Sequence, residues 1–352
     1  MATLTPGVVY PQNSAFTYPG GSAPAPTTPY SGTFIPTLWS GKLAQKFYKT
    51  SIFGEIANTD WQGEINGIGD KVIINTIPDL SITDYKLGGP IQYQIPEGQT
   101  IELVIDTGKL FAFQVNDLLE LQSKPNLMNM FTDDATERMK LVIDKDVIYR
   151  SFFNDKGVLN TIETDKENVY DKIDARNTGA AAGRDSGNYN MGTDTTPVAL
   201  TGANILEQIT AMSSILDEAN VPQEGRYLVI SPYERHVLMQ SNLAQAQFMG
   251  DNKSIIRNGK IGQIDRFTIY VSNQLPRTAA GKAWDNTTAA EGAAKRHLIF
   301  AGHKSAITFA SQFVKTETLR NPQDFGDLIR GLNVYGTKVV KGDALVPMII
   351  AG

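Results

Sequence analysis

An α+β fold is what this sequence predicts, and three observations carry that expectation. Apolar residues recur at helical spacing over 131–153, 204–220 and 231–239. β-rich runs lie at 72–77, 227–230, 267–271, 298–301, 306–310, 333–340 and 345–350, so helices are scattered among strands. No internal repeat organises them, and the first 41 residues follow neither pattern.

Composition narrows the function classes. The 352 residues are 41% hydrophobic and 20% charged, the balance of a chain that folds and buries a core without staples. A net charge of −5 argues against a basic face built to grip nucleic acid. The absence of cysteine excludes disulfides, thiolate metal sites, iron–sulfur clusters and cysteine nucleophiles. Only three histidines occur (His236, His297 and His303), so a histidine-only zinc site would need all of them. No apolar run approaches the roughly 18 residues of a membrane span. Met1 is not followed by a basic start and an apolar block, so a soluble, intracellular protein is expected, with no membrane partner.

Residues Met1 to Gly41 contain no Asp, Glu, Lys, Arg or His, but hold seven of the 17 prolines and six aromatics: Tyr10, Phe16, Tyr18, Tyr30, Phe34 and Trp39. Proline density forbids a helix and weakens any internal strand. Disordered tails are usually charged and poor in aromatics, whereas this segment suits an extended arm that docks along a partner. The other reading of its composition is a floppy linker or leader segment. Trp39, Leu43 and Phe47, spaced by four, predict a short amphipathic helix within a 37–69 linker region.

Residues 71–106 read as a long hairpin-like loop. Val72–Ile77 is β-rich, Asp79–Pro90 is a turn region, and Ile91, Tyr93 and Ile95 alternate with glutamines before a second alternation at Ile101, Leu103 and Ile105. A lone two-stranded ribbon is marginal in water, so another subunit is its natural support. The longest helix is expected over 131–153, with N-cap candidates at Thr132–Asp134 and a stripe of Ala135, Met139, Val142, Ile143 and Val147. Loops and short strands fill 154–200. A helix follows at Asn204–Asn220, then a buried strand at Tyr227–Ile230 and a helix from Ser231–Pro232 through Met239, with proline at its first position. Arg277–Arg296, rich in Ala, Gly and Thr, is expected to be an exposed insertion.

No catalytic constellation emerges. P-loop, GxGxxG, GxSxG, HExxH and EF-hand patterns are absent, and Gly302–His303–Lys304–Ser305 lacks the glycines of a phosphate cradle. Ser231 has the strand-to-helix position of a nucleophile elbow, but Pro232 removes an oxyanion-hole N–H, so a helix cap is expected. Asp133 and Asp134 point apart, and Asp144 and Asp146, two apart on a helix, share no face. Each histidine is expected to be structural. Glu317 and Arg320, three apart, are read as a pair that matters only if an interface buries it. No cofactor is implied.

The order of arm, long β-loop, long helix, mixed domain and returning strands resembles the major capsid proteins of tailed bacteriophages with the Hong Kong 97-type fold. Local stretches carry the same likeness: RYLVISPYERHVL at 226–238, IGQIDRFTIYVSNQLP at 261–276, FAGHKSAITFASQ at 300–312 and TETLRNPQDFGDLIRGLNVYGTKVVKGDAL at 316–345. The resemblance implies an N-terminal arm at 1–36, an extended loop at 70–107, a peripheral domain from 108–158 and 305–343, an axial domain over 159–304, and a C-terminal strand at 344–352. It implies a structural, non-catalytic shell subunit that self-assembles as hexameric and pentameric capsomers around double-stranded DNA without sequence-specific contacts. The subunit would act in the virion after assembly in the host cytoplasm. It further implies inter-subunit contacts by the arm (Tyr10, Phe16, Tyr18, Tyr30, Phe34), by the loop (Tyr85, Lys86, Tyr93) and at Glu317 and Arg320. Some relatives carry a fused scaffolding segment ahead of the arm. Here Met1 runs straight into it, so a separate scaffolding protein is expected, together with a portal and room for a decoration protein. Others weld subunits through a Lys–Asn isopeptide bond. Lys86, with Asn321 or Asn333, is the conceivable set, though the spacing gives that chemistry no specific support. An encapsulin-type compartment is the near alternative, and an α/β enzyme using Ser231 and His303 the remote one.

Overall fold

The structure is a computed structural model and describes residues 51–61, 71–78, 80–88, 93–96, 98–116, 127–163, 168–241, 263–279, 282–284, 295–322 and 325–352. The expected arm and the expected helix around Trp39–Tyr48 lie outside these residues. In chain order come α1 (Phe53–Ile56), β1 (Lys71–Asn75), β2 (Thr100–Val104), β3 (Thr107–Asn116) and the long helix α2 (Leu127–Phe152). Next are β4 (Thr161–Ile162), β5 (Ile173–Asp174), β6 (Val198–Ala199), α3 (Ile205–Glu218), β7 (Arg226–Ile230) and α4 (Pro232–Met239). The chain continues with β8 (Gln263–Ile264), β9 (Phe267–Val271), β10 (Arg277–Ala279), β11 (Lys295–His303), β12 (Ile307–Arg320), β13 (Gly326–Val339) and β14 (Leu345–Ala351).

Helix α2 starts at Leu127, before the expected caps. Thr132–Asp134 therefore sit inside it, and the Thr132 hydroxyl donates back to Met128 O at 2.8 Å rather than capping an N-terminus. No breaker separates Leu127 from Phe131, so nothing in the sequence stops the helix from including those residues. Its burial is confined to the second half: Ile143, Val147, Ile148 and Phe152 enter the core, while Val142 stays exposed. Two carboxylates are buried with them. Asp144 Oδ1 accepts from Ile52 N at 3.1 Å and Phe53 N at 2.8 Å, capping α1 from a distance. Asp146 accepts from the Tyr335 hydroxyl at 2.8 Å. The helix packs on a three-stranded antiparallel sheet in the order β12-β13-β3. β12 and β13 each run 14 residues, well past the apolar runs that flagged them: the distal half of β12, Lys315–Arg320, is polar and largely exposed, and it pairs with Asp327–Leu332 of β13, where Ile329 is buried.

The second sheet is seven-stranded and mixed, in the order β6-β14-β11-β7-β9-β8, with β10 added to β11. β7 pairs β9 in parallel and β14 pairs β6 in parallel; the other pairs are antiparallel. β14 lies between β6 and β11, and its continuous apolar run (Leu345, Val346, Met348, Ile349, Ile350) suits a strand covered on both faces. Helix α3 buries Ile205, Ile209, Met212, Ile215 and Leu216. Phe152 meets Phe300 with ring centroids 4.5 Å apart, so the end of α2 joins the core of this sheet.

The passage from β13 into β14 crosses the 169–184 segment at close range. A Cβ on Gly342 would lie 1.7 Å from Lys172 O, so only glycine lets the two backbones meet there. Around this crossing Arg184 Nη2 donates to Asp174 Oδ2 and to Asp343 Oδ1, each at 2.7 Å. Asn177 Nδ2 donates to Asp343 O at 2.7 Å and Leu345 O at 3.0 Å.

Two expectations are corrected. The 277–296 stretch is not simply an exposed insertion: β10 joins the sheet, and Trp284 is 2% exposed. The Trp284 indole N–H donates to Asp194 Oδ1 at 2.7 Å, its ring stacks on Phe153 at 4.8 Å, and Tyr149 OH donates to its carbonyl at 2.8 Å. One large aromatic can anchor a segment whose other residues are small. The ribbon base, moreover, does not wait for a second subunit. Ile74, Ile101, Leu103 and Ile105 pack with Ala310, Val334 and Val340 of the same chain into a small core of their own. Of the alternation at 91–95, the described residues Tyr93–Ile95 form no ladder.

Candidate functional site

Away from its base, the ribbon carries apolar side chains that nothing in the described chain covers. Ile82 is 99% exposed, Leu87 92%, Tyr93 and Ile95 88% each, and Ile77 84%. Single exposed apolar residues are ordinary, but here several fall together on one element. Of the residues expected to make such contacts, Tyr85 is 76% exposed, and Lys86 is exposed beside the turn at Leu87–Gly88. Tyr10, Phe16, Tyr18, Tyr30 and Phe34 lie outside the described residues.

The three-stranded sheet supplies a second surface. On one face Glu317 accepts from the Arg330 guanidinium at 2.6 Å and also meets the Lys315 ammonium. Those two cations, Lys315 foremost, hold the Glu317 carboxyl below the ordinary glutamate range. The expected Glu317–Arg320 pair does not form. In a strand, residues three apart point to opposite faces, and Arg320 pairs with Asp327 at 3.2 Å instead. The three-apart rule belongs to helices, and β12 is not one. On the helix side, Phe111 lies over Gly331, whose added Cβ would sit 2.3 Å from the ring. Phe113 meets Phe111 at 6.2 Å and Phe131 edge-on at 6.0 Å. These rings, with Met139 and Val142, line a groove of about 540 Å³ between β3 and the exposed half of α2.

The residues weighed for chemistry serve the fold. Ser231 caps α4 in a capping box with Glu234, as the Ser231–Pro232 pattern predicts. Glu234, fully buried, also meets His297. Burial pushes the Glu234 carboxyl up, but the contacts with His297 and Ser231 outweigh this and hold it below its ordinary range. His303 donates through Nε2 to Glu224 O at 2.9 Å and pairs through Nδ1 with Ser305 Oγ at 2.8 Å; burial lowers its pKa. His236 contacts Gln240 at 3.0 Å. Among the described residues no group of three or more acidic or histidine side chains could hold a metal ion, and no helix is long and apolar enough to cross a membrane.

A model of the phage capsid protein family matches residues 151–347, more than half of the chain. The chain belongs to the phage capsid protein family. Its role is that of a structural shell subunit, the major capsid protein of a phage head. No curated protein matches it by sequence. Among solved structures it is similar to a chain from Mycobacterium phage Che8 at 23% identity and a TM-score of 0.65, covering 89% of this chain and 96% of that one. It is also similar to the capsid of cyanophage P-SCSP1u, at 17% identity and a TM-score of 0.62, covering 93% and 98%. The capsid of Ralstonia phage GP4 follows at 13% identity and a TM-score of 0.59, covering 94% and 98%. These likenesses establish the fold, that of Hong Kong 97-type phage capsids. Of the two shell readings the sequence leaves open, the family match selects the phage one.

Proposed function

We propose that copies of this chain form the hexameric and pentameric capsomers of an icosahedral head that encloses double-stranded DNA without sequence-specific contacts. The observation that carries the reading is the set of bare apolar side chains on the ribbon, from Ile77 to Ile95, together with the ordered core at its base. A rigid foot and an uncovered tip are what an element needs when its partner is another subunit, because interface cores are as apolar and as well packed as interiors. In this reading the three-stranded sheet with α2 is the peripheral domain, the seven-stranded sheet is the axial domain, and β14 is shared with the axial strands. The uncharged arm at 1–36 adds contact area along neighbours, as large cooperative interfaces require. A net charge of −5 keeps the inner wall from binding DNA tightly. A separate scaffolding protein and a portal are the remaining partners, and assembly takes place in the host cytoplasm.

Electron microscopy and sedimentation of the purified chain test this. Closed shells or capsomer rings are expected. A monomer that persists at millimolar concentration, alone and with scaffolding protein, refutes the assignment.

A further inference from the structure

The two tracks of the ribbon leave their ladder early. β1 and β2 pair from Lys71 opposite Val104 to Asn75 opposite Thr100. Thr76 adds one rung: its N–H donates to Gln99 O at 2.9 Å and its hydroxyl to the same oxygen at 2.7 Å. Beyond that, among the described residues, no backbone–backbone bond joins the tracks. Pro78 and Pro96 fall in this stretch, and neither has an N–H to give.

Yet the tracks meet again at Ser81 and Gln94. The Gln94 carboxamide donates through Nε2 to Ser81 O at 2.8 Å, and its Oε1 accepts from Ser81 N at 3.1 Å. Nε2 also contacts Ser81 Oγ. One side-chain amide thus satisfies both backbone groups of the facing residue, as an opposing peptide does in a ladder. The position is the telling point. The turn lies at Leu87–Gly88, where Gly88 takes a φ of +79°. Ser81 and Gln94 stand equally far from it along the chain. So do Thr76 and Gln99, and so does every β1–β2 pair. The side-chain rung keeps the register of the ladder across a gap in which the ladder itself is broken.

We propose that Gln94 is a positioning residue for assembly, a register lock that holds the two tracks of the ribbon in one frame through the Ser81 peptide groups. The proposal rests on the shell reading, since what the lock presents is the apolar set around the turn. The prolines keep the tracks from becoming a long open edge that would pair indiscriminately. Gln94 restores alignment without restoring that edge. A tip held in one register surrenders less conformational freedom when it docks.

The chain is free of cysteine, so nitroxide labels at Leu80→Cys and Ile95→Cys are unique reporters beside the rung. Their distance distribution is measured by pulsed electron resonance in the unassembled full-length chain. A narrow distribution is expected for the parent, a broadened one for Gln94→Ala, and the parent width for Ser81→Ala, which keeps both backbone partners. In the unlabelled chain, Gln94→Ala slows shell formation, followed by light scattering, by roughly 2- to 10-fold, the range that ordering one flexible contact spans. Its melting temperature stays that of the parent. A parent distribution already broad, a Gln94→Ala distribution as narrow as the parent, or equal broadening by Ser81→Ala each overturns the lock. Slowed assembly with an unchanged distribution overturns it as well, because Gln94 would then act by touching the neighbour. If the parent forms no shells, the shell reading fails, while the distance measurement still judges the lock.

Discussion

The ribbon tip and the Arg184 crossing both hold distant parts of the chain together, one in water and the other out of it. At the crossing, charges and amides are buried and meet one another: Asp174, Asp343, Arg184 and Asn177 are mutually bonded around a backbone contact that tolerates only Gly342. At the tip the polar bonds are exposed, and the apolar side chains are what lack a partner. A buried charge without its partner is far costlier than an exposed amide without one. On the proposed shell reading, the difference teaches that subunit stability and subunit association rest on separate sets of residues.

The sharpest way to break that separation is to replace residues 80–95 by a short glycine turn. Shells should disappear from electron micrographs, while the melting temperature of the subunit changes little, because the ribbon base keeps its own core. A large fall in melting temperature would show that the tip stabilises the subunit after all. Deleting residues 1–36 should act in the same direction but less completely: a folded subunit by circular dichroism, with a reduced yield or stability of shells. Arg184→Met probes the opposite side. It takes the guanidinium partner from buried Asp343, while Asp174 keeps Arg176, and should cost about 3 kcal/mol in urea unfolding, the lower end of the penalty for breaking a buried pair. A cost as small as that of an exposed pair would place the network in solvent.

The smallest expected effect concerns pH. Burial raises the Asp144 carboxyl from 3.8 to about 6. The folded state therefore takes up a proton that the unfolded state does not, between about pH 6 and 3.8. This group's contribution to stability is full below the lower value and is lost as pH rises through the upper one. Asp144→Asn keeps the Oδ1 acceptor for Ile52 and Phe53 but cannot titrate. The gain in unfolding free energy between pH 7 and pH 5 should shrink by about 1–2 kcal/mol in this variant. Parallel pH profiles for parent and variant would remove Asp144 from the account.

Much of the fold is legible where local pattern and burial agree. The helices at 205–218 and 232–239 and the strands at 226–230 and 267–271 lie within a residue or two of their expected places, because each has an apolar face or run that the core uses. The distal half of β12 is not legible, since Lys315–Arg320 shows no apolar alternation, and in β13 Gly326 and Gly331 interrupt the run that holds the buried Ile329. Trp284 sits in a stretch whose small residues read as solvent-facing, and nothing local announces the pocket made by Phe153, Tyr149 and Asp194. The Arg184 network unites residues more than 150 positions apart, beyond the reach of any spacing rule. In the candidate site, Tyr85 and Tyr93 were legible as aromatics within a turn-rich loop. The Gln94 rung was not, although its symmetry about the Leu87–Gly88 turn is written in the numbering.

The seam between β6 and β11 is closed by Leu345–Ala351, which the ribosome makes after both. A nascent chain halted before residue 345 owns a complete ribbon and a complete long helix, but its larger sheet is still in two pieces. Translation thus delivers the exposed apolar set of the ribbon before the larger sheet is whole. A prematurely ended product lacks the strip that joins β6 to β11.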